Sequence, residues 1–133
     1  MHFYISDVLQ KETNSYYPHE IKVVDIDSLK KAVEKDYVCA KYKSFHRSNA
    51  DFVITDTLAL DCDNTHTEDE SKWVDIKAIK EMLPGVSFAV HYSRNNMKEK
   101  QGKKARPKFH IFFPIEPIKN YEDYRKLKEK ILS

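Results

Sequence analysis

The clearest hydrophobic pattern begins at Leu58, where Leu58, Leu60 and Cys62 alternate with Ala59, Asp61 and Asp63. This two-residue period is that of a half-buried strand. Thr67-x-x-Glu70 has the form of a capping box, and Trp73, Ile76, Ile79 (or Lys80) and Leu83 then recur at helical spacing until Pro84-Gly85. Val86, Phe88, Val90 and Tyr92 alternate with Ser87, Ala89, His91 and Ser93, which predicts a second half-buried strand. A third comes after a basic loop: Phe109, Ile111, Phe113 and Ile115 point to the core and Lys108, His110 and Phe112 lie on the opposite face, until Pro114 and Pro117 end it. Asn120 then caps a helix with Tyr124, Leu127 and Ile131 as its buried stripe. Nearer the start, His2 to Ser6 and Ile21 to Val24 read as strands, and Ser28 to Lys35 as a short helix with Leu29, Ala32 and Val33 on one side.

The order strand, helix, strand, strand, helix predicts an α+β fold of the RRM-like or ferredoxin-like split βαβ kind. That arrangement has one further strand, beside the first. Its absence fits either a truncated chain, the reading favoured by a helix running to the last residue, or a variant closed by N-terminal strands. No internal repeat or long linker divides the sequence, so one domain is expected over 1–133, with N-terminal strands and helix in 1–50 and the motif-bearing core in 51–133.

Composition narrows the function. A chain of 133 residues with 41% hydrophobic residues can build a core, and no apolar run approaches the roughly 20 residues needed to span a bilayer. No apolar leader stands behind Met1-His2-Phe3, so a cytoplasmic protein without a membrane partner is expected. Cys39 and Cys62 form no C-x-x-C pair, which removes a zinc ribbon and a disulfide framework. With only Gly85 and Gly102, neither a Walker loop nor a dinucleotide fingerprint is available, so any phosphate must be held by side chains. The net charge of +2 hides two blocks: Asp56 to Glu70 holds six acids and no Lys or Arg, and Arg94 to Lys108 holds seven bases and one acid.

Asp61 and Asp63 are the first candidates for chemistry. Two carboxylates at i and i+2 on a strand share a face and can bind one or two divalent cations; the competing reading is a strand end entering a turn, with Asp63-Asn64 capping the next segment. His110 has matching parity on the strand expected beside theirs, where its imidazole is either a ligand-binding group or a structural residue. His91 has the same parity on the strand expected at the sheet edge, further away. In the basic loop, Arg94, Arg106 and Lys108 are the positions that the flanking strands would hold, and the arginine fork suits phosphate; the middle lysines read as a solvated hairpin. Phe112 is the one aromatic expected on an open face, where a base could stack.

The run Leu60-Asp61-Cys62-Asp63-Asn64, the segment Tyr92-Ser93-Arg94-Asn95 and above all Ala105-Arg106-Pro107-Lys108-Phe109-His110-Ile111-Phe112-Phe113-Pro114-Ile115 resemble the archaeo-eukaryotic primase superfamily, in particular the primase-polymerase domains of phages and mobile elements. The likeness covers about residues 45 to 125. It implies that Asp61 and Asp63 bind catalytic Mg²⁺ or Mn²⁺, and that His110 contacts the phosphates of an incoming nucleoside triphosphate. Ser93, Arg94, Arg106 and Lys108 would assist there. The implied activity is template-dependent nucleotidyl transfer in DNA replication, on a single-stranded DNA template and with a fused or associated helicase. Two features depart from the family pattern. Lys108 stands where a small residue is usual, and the third acid of a later strand is lacking, since Glu122 and Asp123 belong to a helix start. The chain then reads as the N-terminal part of a longer primase, incomplete for catalysis.

Two other classes compete. Asp61-Cys62-Asp63-Asn64-Thr65 also fits the D-x-D-x-T of haloacid-dehalogenase-like phosphatases, with Asp61 as nucleophile; too few βα units and no later acidic pair speak against it. The third reading is a non-catalytic single-stranded nucleic-acid-binding module, in which sheet and basic hairpin grip a strand.

Overall fold

The computed structural model describes residues 1–9, 11, 13–93, 96–99, 102 and 104–132. The protein is α+β, with two antiparallel sheets and, among the described residues, three α-helices. In chain order these are β1 (His2–Ile5), β2 (His19–Lys22), α1 (Ile26–Ala32), β3 (Tyr37–Val38), β4 (Lys41–Tyr42), β5 (Phe52–Cys62), α2 (Ile76–Met82), β6 (Ala89–Tyr92), β7 (Phe109–Ile118) and α3 (Tyr121–Leu132). One sheet has the order β2-β1-β3 and the other β4-β5-β7-β6. Two compact units result, Met1–Leu58 with Pro114–Ser133, and Ala59–Phe113.

In the first unit β1 is the central strand. Phe3 and Tyr4 are successive residues on opposite faces, yet both are buried. Phe3 stacks on Tyr37, and α1 packs on β1 and β2 through Leu29 and Ala32. This helix starts two residues before the expected Ser28, because Asp25 is the cap: its carboxylate accepts from Ser28 N–H and the Ser28 hydroxyl accepts from Asp25 N–H. β5 starts at Phe52, six residues before its apolar alternation. Its first half is carried by Thr55 and Thr57, which are buried because their polar atoms are satisfied: the Thr55 hydroxyl bonds the Cys39 and Thr57 carbonyls and accepts from Thr57 N–H. β4 pairs with this half, Lys41 opposite Ile54 and Tyr42 opposite Phe52. The side of β5 expected to be open is thus taken there by an N-terminal strand. α3 is capped by Asn120 as expected, its side-chain oxygen accepting from Glu122 and Asp123 N–H. Tyr124 lies against the Phe52 ring, but Ile131, expected in the buried stripe, is exposed.

In the second unit the helix is shorter than its periodicity. α2 is capped by Asp75, whose carboxylate accepts from Ala78 N–H; Thr67 and Glu70 form no capping box, and Trp73 lies in the loop before the helix. β6 covers only the second half of the expected strand, and Val86 and Tyr92 are exposed. Between Phe109 and Phe113 both faces of β7 carry buried residues: Phe109, Ile111 and Phe113 are buried as expected, but so is Phe112, at 1% exposure, and the strand continues through Pro114 and Pro117 to Ile118 instead of ending at them. Burial on the second face overrides the alternation, so Phe112 presents no ring to a stacked base.

Candidate functional site

β5 delivers Asp61 at its end and Asp63 just beyond it, both exposed. The chain then turns at Asn64, which is buried and left-handed at φ 54°. A left-handed backbone suits asparagine better than most residues. Its side chain fixes the exit from the strand: the amide oxygen accepts from Val74 N–H at 2.6 Å, and the amide nitrogen donates to the Val74 and Pro107 carbonyls, each at 2.8 Å. Loop 64–74 is thereby closed at its ends.

Arg106 fills the inside of that loop. Expected on a phosphate, it is 1% exposed, and its guanidinium donates to the carbonyls of Asn64 at 2.8 Å, Thr67 at 3.2 Å and Lys104 at 3.1 Å. It also pairs with Glu68 at 2.7 Å and lies over the Trp73 ring, 5.0 Å from its centroid. The Trp73 indole N–H in turn donates to the Thr67 carbonyl. A planar fork with several fixed donors suits such a cluster of carbonyls, which a lysine could not span.

On the sheet, His110 Nε2 lies 2.9 Å from Asp61 Oδ1. The pair joins β5 to β7 and is partly open, the side chains being 33% and 69% exposed. His91 is the register partner of His110 on β6, their rings meeting edge to face at 5.9 Å between centroids. Phe112 meets the His110 ring in the same manner at 6.3 Å. His110 is therefore flanked by two rings and faced by a carboxylate. Burial pushes the His91 imidazole below its usual value and His110 adds to this, so His91 favours its neutral form. Burial likewise raises the Cys62 thiol, with Asp63 and, more weakly, Asp61 contributing, against a backbone bond from Asn64 that lowers it.

The basic hairpin is laced at its base. Ser93 N–H donates to the Lys108 carbonyl, Lys108 N–H to Asn96 Oδ1, Asn96 N–H to the Ser93 carbonyl and Met97 N–H to the Arg106 carbonyl. Ser93 and Lys108 are both half-buried there, while Arg94 lies outside the described residues. Thus Asp61 and His110 come together with His91 beside them, and Arg106 is committed to loop 64–74. An open groove of about 470 Å³ lined by Lys80, Leu83, Gly85, Val86, Ser87 and Phe88 includes none of the candidates.

Sequence reasoning named Asp63-Asn64 only as a turn capping the next segment, and did not foresee that the Asn64 amide would bind Val74 and Pro107. The signal was there: an asparagine just past a strand is a common left-handed residue.

Among the described residues no group of three or more His, Cys, Asp or Glu side chains is placed to hold a metal ion, so a self-contained metal cage is not formed. Mg²⁺ does not require one, since it is commonly held by one or two carboxylates with substrate phosphates completing the shell. The exposed Asp61 and Asp63 fit that lesser requirement. No described helix is long and apolar enough to cross a membrane. Comparison with protein-family models, with curated proteins and with solved structures finds no match to this chain.

Proposed function

We propose that the second unit carries the nucleotide- and metal-binding site of a primase-polymerase of the phage and mobile-element kind, a nucleotidyl transferase that uses a nucleoside triphosphate, a single-stranded DNA template and Mg²⁺ or Mn²⁺ in the cytoplasm. The split βαβ core and a fused or associated helicase belong to the same proposal. The observation that supports it most is the 2.9 Å pair between His110 and Asp61, which joins residues of the two motifs that carry the family likeness.

Asp61 and Asp63 are the residues that would hold the ions. Such ions supply charge neutralisation on the triphosphate and lower the pKa of an attacking 3′-hydroxyl. The chain's own groups have distinct tasks. His110, fixed in orientation by Asp61 and two ring neighbours, donates from its imidazole to a phosphate oxygen. Lys108, at the hairpin base with Ser93, adds positive charge. Arg106 acts indirectly: by gripping the Asn64 carbonyl it holds the turn that sets the position of Asp63.

Titration calorimetry with a nucleoside triphosphate, with and without Mn²⁺, tests this reading. Metal-dependent binding is expected, and Asp61→Asn with Asp63→Asn should abolish the metal-dependent part. Equal triphosphate binding by the double variant would overturn it, and phosphatase activity lost in Asp61→Asn would favour the dehalogenase-like alternative.

A further inference from the structure

The first unit contains a basic and aromatic feature that the nucleotide site does not use. From Tyr37 to Ala50 the sequence holds no acid but includes Lys41, Lys43 and Arg47 together with Tyr37, Tyr42, Phe45 and His46. In the structure Lys43–Phe45 forms a 3-10 turn in which Ser44 and Phe45 both adopt left-handed backbone, at φ 54° and 61°. Two successive non-glycine residues in that region are unfavourable, more so where one is aromatic. The turn persists because an extended segment holds it from outside. Tyr17 N–H donates to the Phe45 carbonyl at 2.9 Å, Arg47 N–H donates to the Ser15 carbonyl at 2.7 Å, and Tyr16 bridges to His46.

That conformation leaves large rings and cations in water. Tyr16 is 44% and Phe45 36% exposed, and Lys43, Ser44, His46 and Arg47 are exposed as well. The Tyr16 and His46 rings lie 4.9 Å apart, tilted by 32°. No ion pair involving Lys43 or Arg47 forms among the described residues. Strain held by neighbours at an exposed turn points to binding.

We propose that the Lys43–Arg47 turn, with Tyr16 beside it, is a docking surface for single-stranded nucleic acid. Lys43 and Arg47 meet the phosphates, and Phe45 and the Tyr16–His46 pair receive unstacked bases. Exposed rings beside cations suit a single strand, whose bases can splay onto them; in a duplex those faces are already stacked. The surface needs no metal and does not depend on the nucleotidyl-transfer reading.

Fluorescence anisotropy of labelled oligo(dT) and oligo(rU) on the full chain, in EDTA and across a salt series, tests the assignment, the two oligomers separating DNA from RNA as the source. Single strands are expected to outcompete a duplex of equal length. Lys43→Ala with Arg47→Ala should lower the salt slope by about 1.4, at about 0.7 per phosphate contact. Tyr16→Ala with Phe45→Gly should weaken binding about tenfold or more, and much less on an abasic strand. Phe45→Gly alone is expected to keep or raise the melting temperature, because glycine accepts positive φ; a Phe45 that served only packing would lower it. Binding that persists in EDTA separates this surface from the metal-dependent nucleotide site. Unaltered affinity in both double variants would overturn the proposal, as would binding to phosphatidylserine vesicles with none to either oligonucleotide.

Discussion

The Asn64 side chain pairs with the Val74 backbone as a neighbouring strand would, accepting from its N–H and donating to its carbonyl. One amide group thus closes loop 64–74, and its remaining donor reaches Pro107, the residue before Lys108. The Asn64 carbonyl is gripped by Arg106. The turn after Asp63 is therefore held by bonds that all pass through one buried asparagine.

Asn64→Ala should cost about 3 kcal/mol in urea denaturation, since three side-chain hydrogen bonds go and buried backbone groups lose partners. Asn64→Gly removes the same bonds but relieves the left-handed backbone, so it should cost about 1 kcal/mol less than the alanine variant. Equal losses in the two would mean that φ at this position carries no strain.

Arg106→Lys should cost about 2 kcal/mol and shift Trp73 emission to the red, because an ammonium cannot serve three carbonyls, Glu68 and the indole face together. Glu68→Gln should cost less, about 1 kcal/mol, since its side chain is 56% exposed and an amide oxygen can still accept from the guanidinium. Trp73 fluorescence during denaturation checks both, and a larger effect from Glu68 would place the weight of the cluster on charge.

These two residues also mark where the sequence was hard to read. Alternation placed Asp61 and His110 on one sheet because a strand's period is strict, and Asn120 announced α3 because capping is local. Arg106 sat in a run of seven bases, and nothing local separates an arginine bound for solvent from one that a distant loop will enclose. Phe112 failed for a related reason: period two says which residues share a face, not whether the second face is covered. The first half of β5 escaped because Thr55 and Thr57 are polar in sequence and become core only once their hydroxyls find partners. Helix α2 was overextended because Trp73 happens to fall in phase with Ile76 and Ile79.

In the first unit, Asp56 ties β1 to β5. One carboxylate oxygen accepts from His2 N–H and the Thr57 hydroxyl, and the other pairs with the His2 ring. Burial opposes the charge of Asp56, but the bonds from the His2 ring, the His2 N–H and Thr57 outweigh it and hold the carboxyl below the ordinary range. A carboxyl depressed on folding contributes stability that is present above about pH 4 and lost as pH falls through its folded value. Asp56→Asn should therefore lower stability at pH 6 by about 1 kcal/mol and flatten the acid limb below pH 4. Denaturation curves of both proteins from pH 6 to pH 3 give the comparison, and parallel acid limbs would count against the tie.

His91 carries the opposite linkage. Burial, and then the neighbouring His110, lower its pKa on folding, so between its folded value and about 6.5 the unfolded chain binds a proton that the folded chain refuses. Stability attached to His91 is thus present above about pH 6.5 and falls as the pH drops through that window. His91→Gln keeps a polar side chain of similar size and cannot titrate. Across pH 7.5 to 5.5 the wild type should lose more stability than the variant, and the histidines that do not face His91, common to both proteins, cancel in the difference. His110→Gln should narrow the window, since it removes the smaller contribution to the lowered His91 value and leaves the larger one of burial. If wild type and His91→Gln keep a constant separation over that range, the His91 ring is solvated enough to accept a proton freely, and its edge-to-face contact with His110 does not survive in solution.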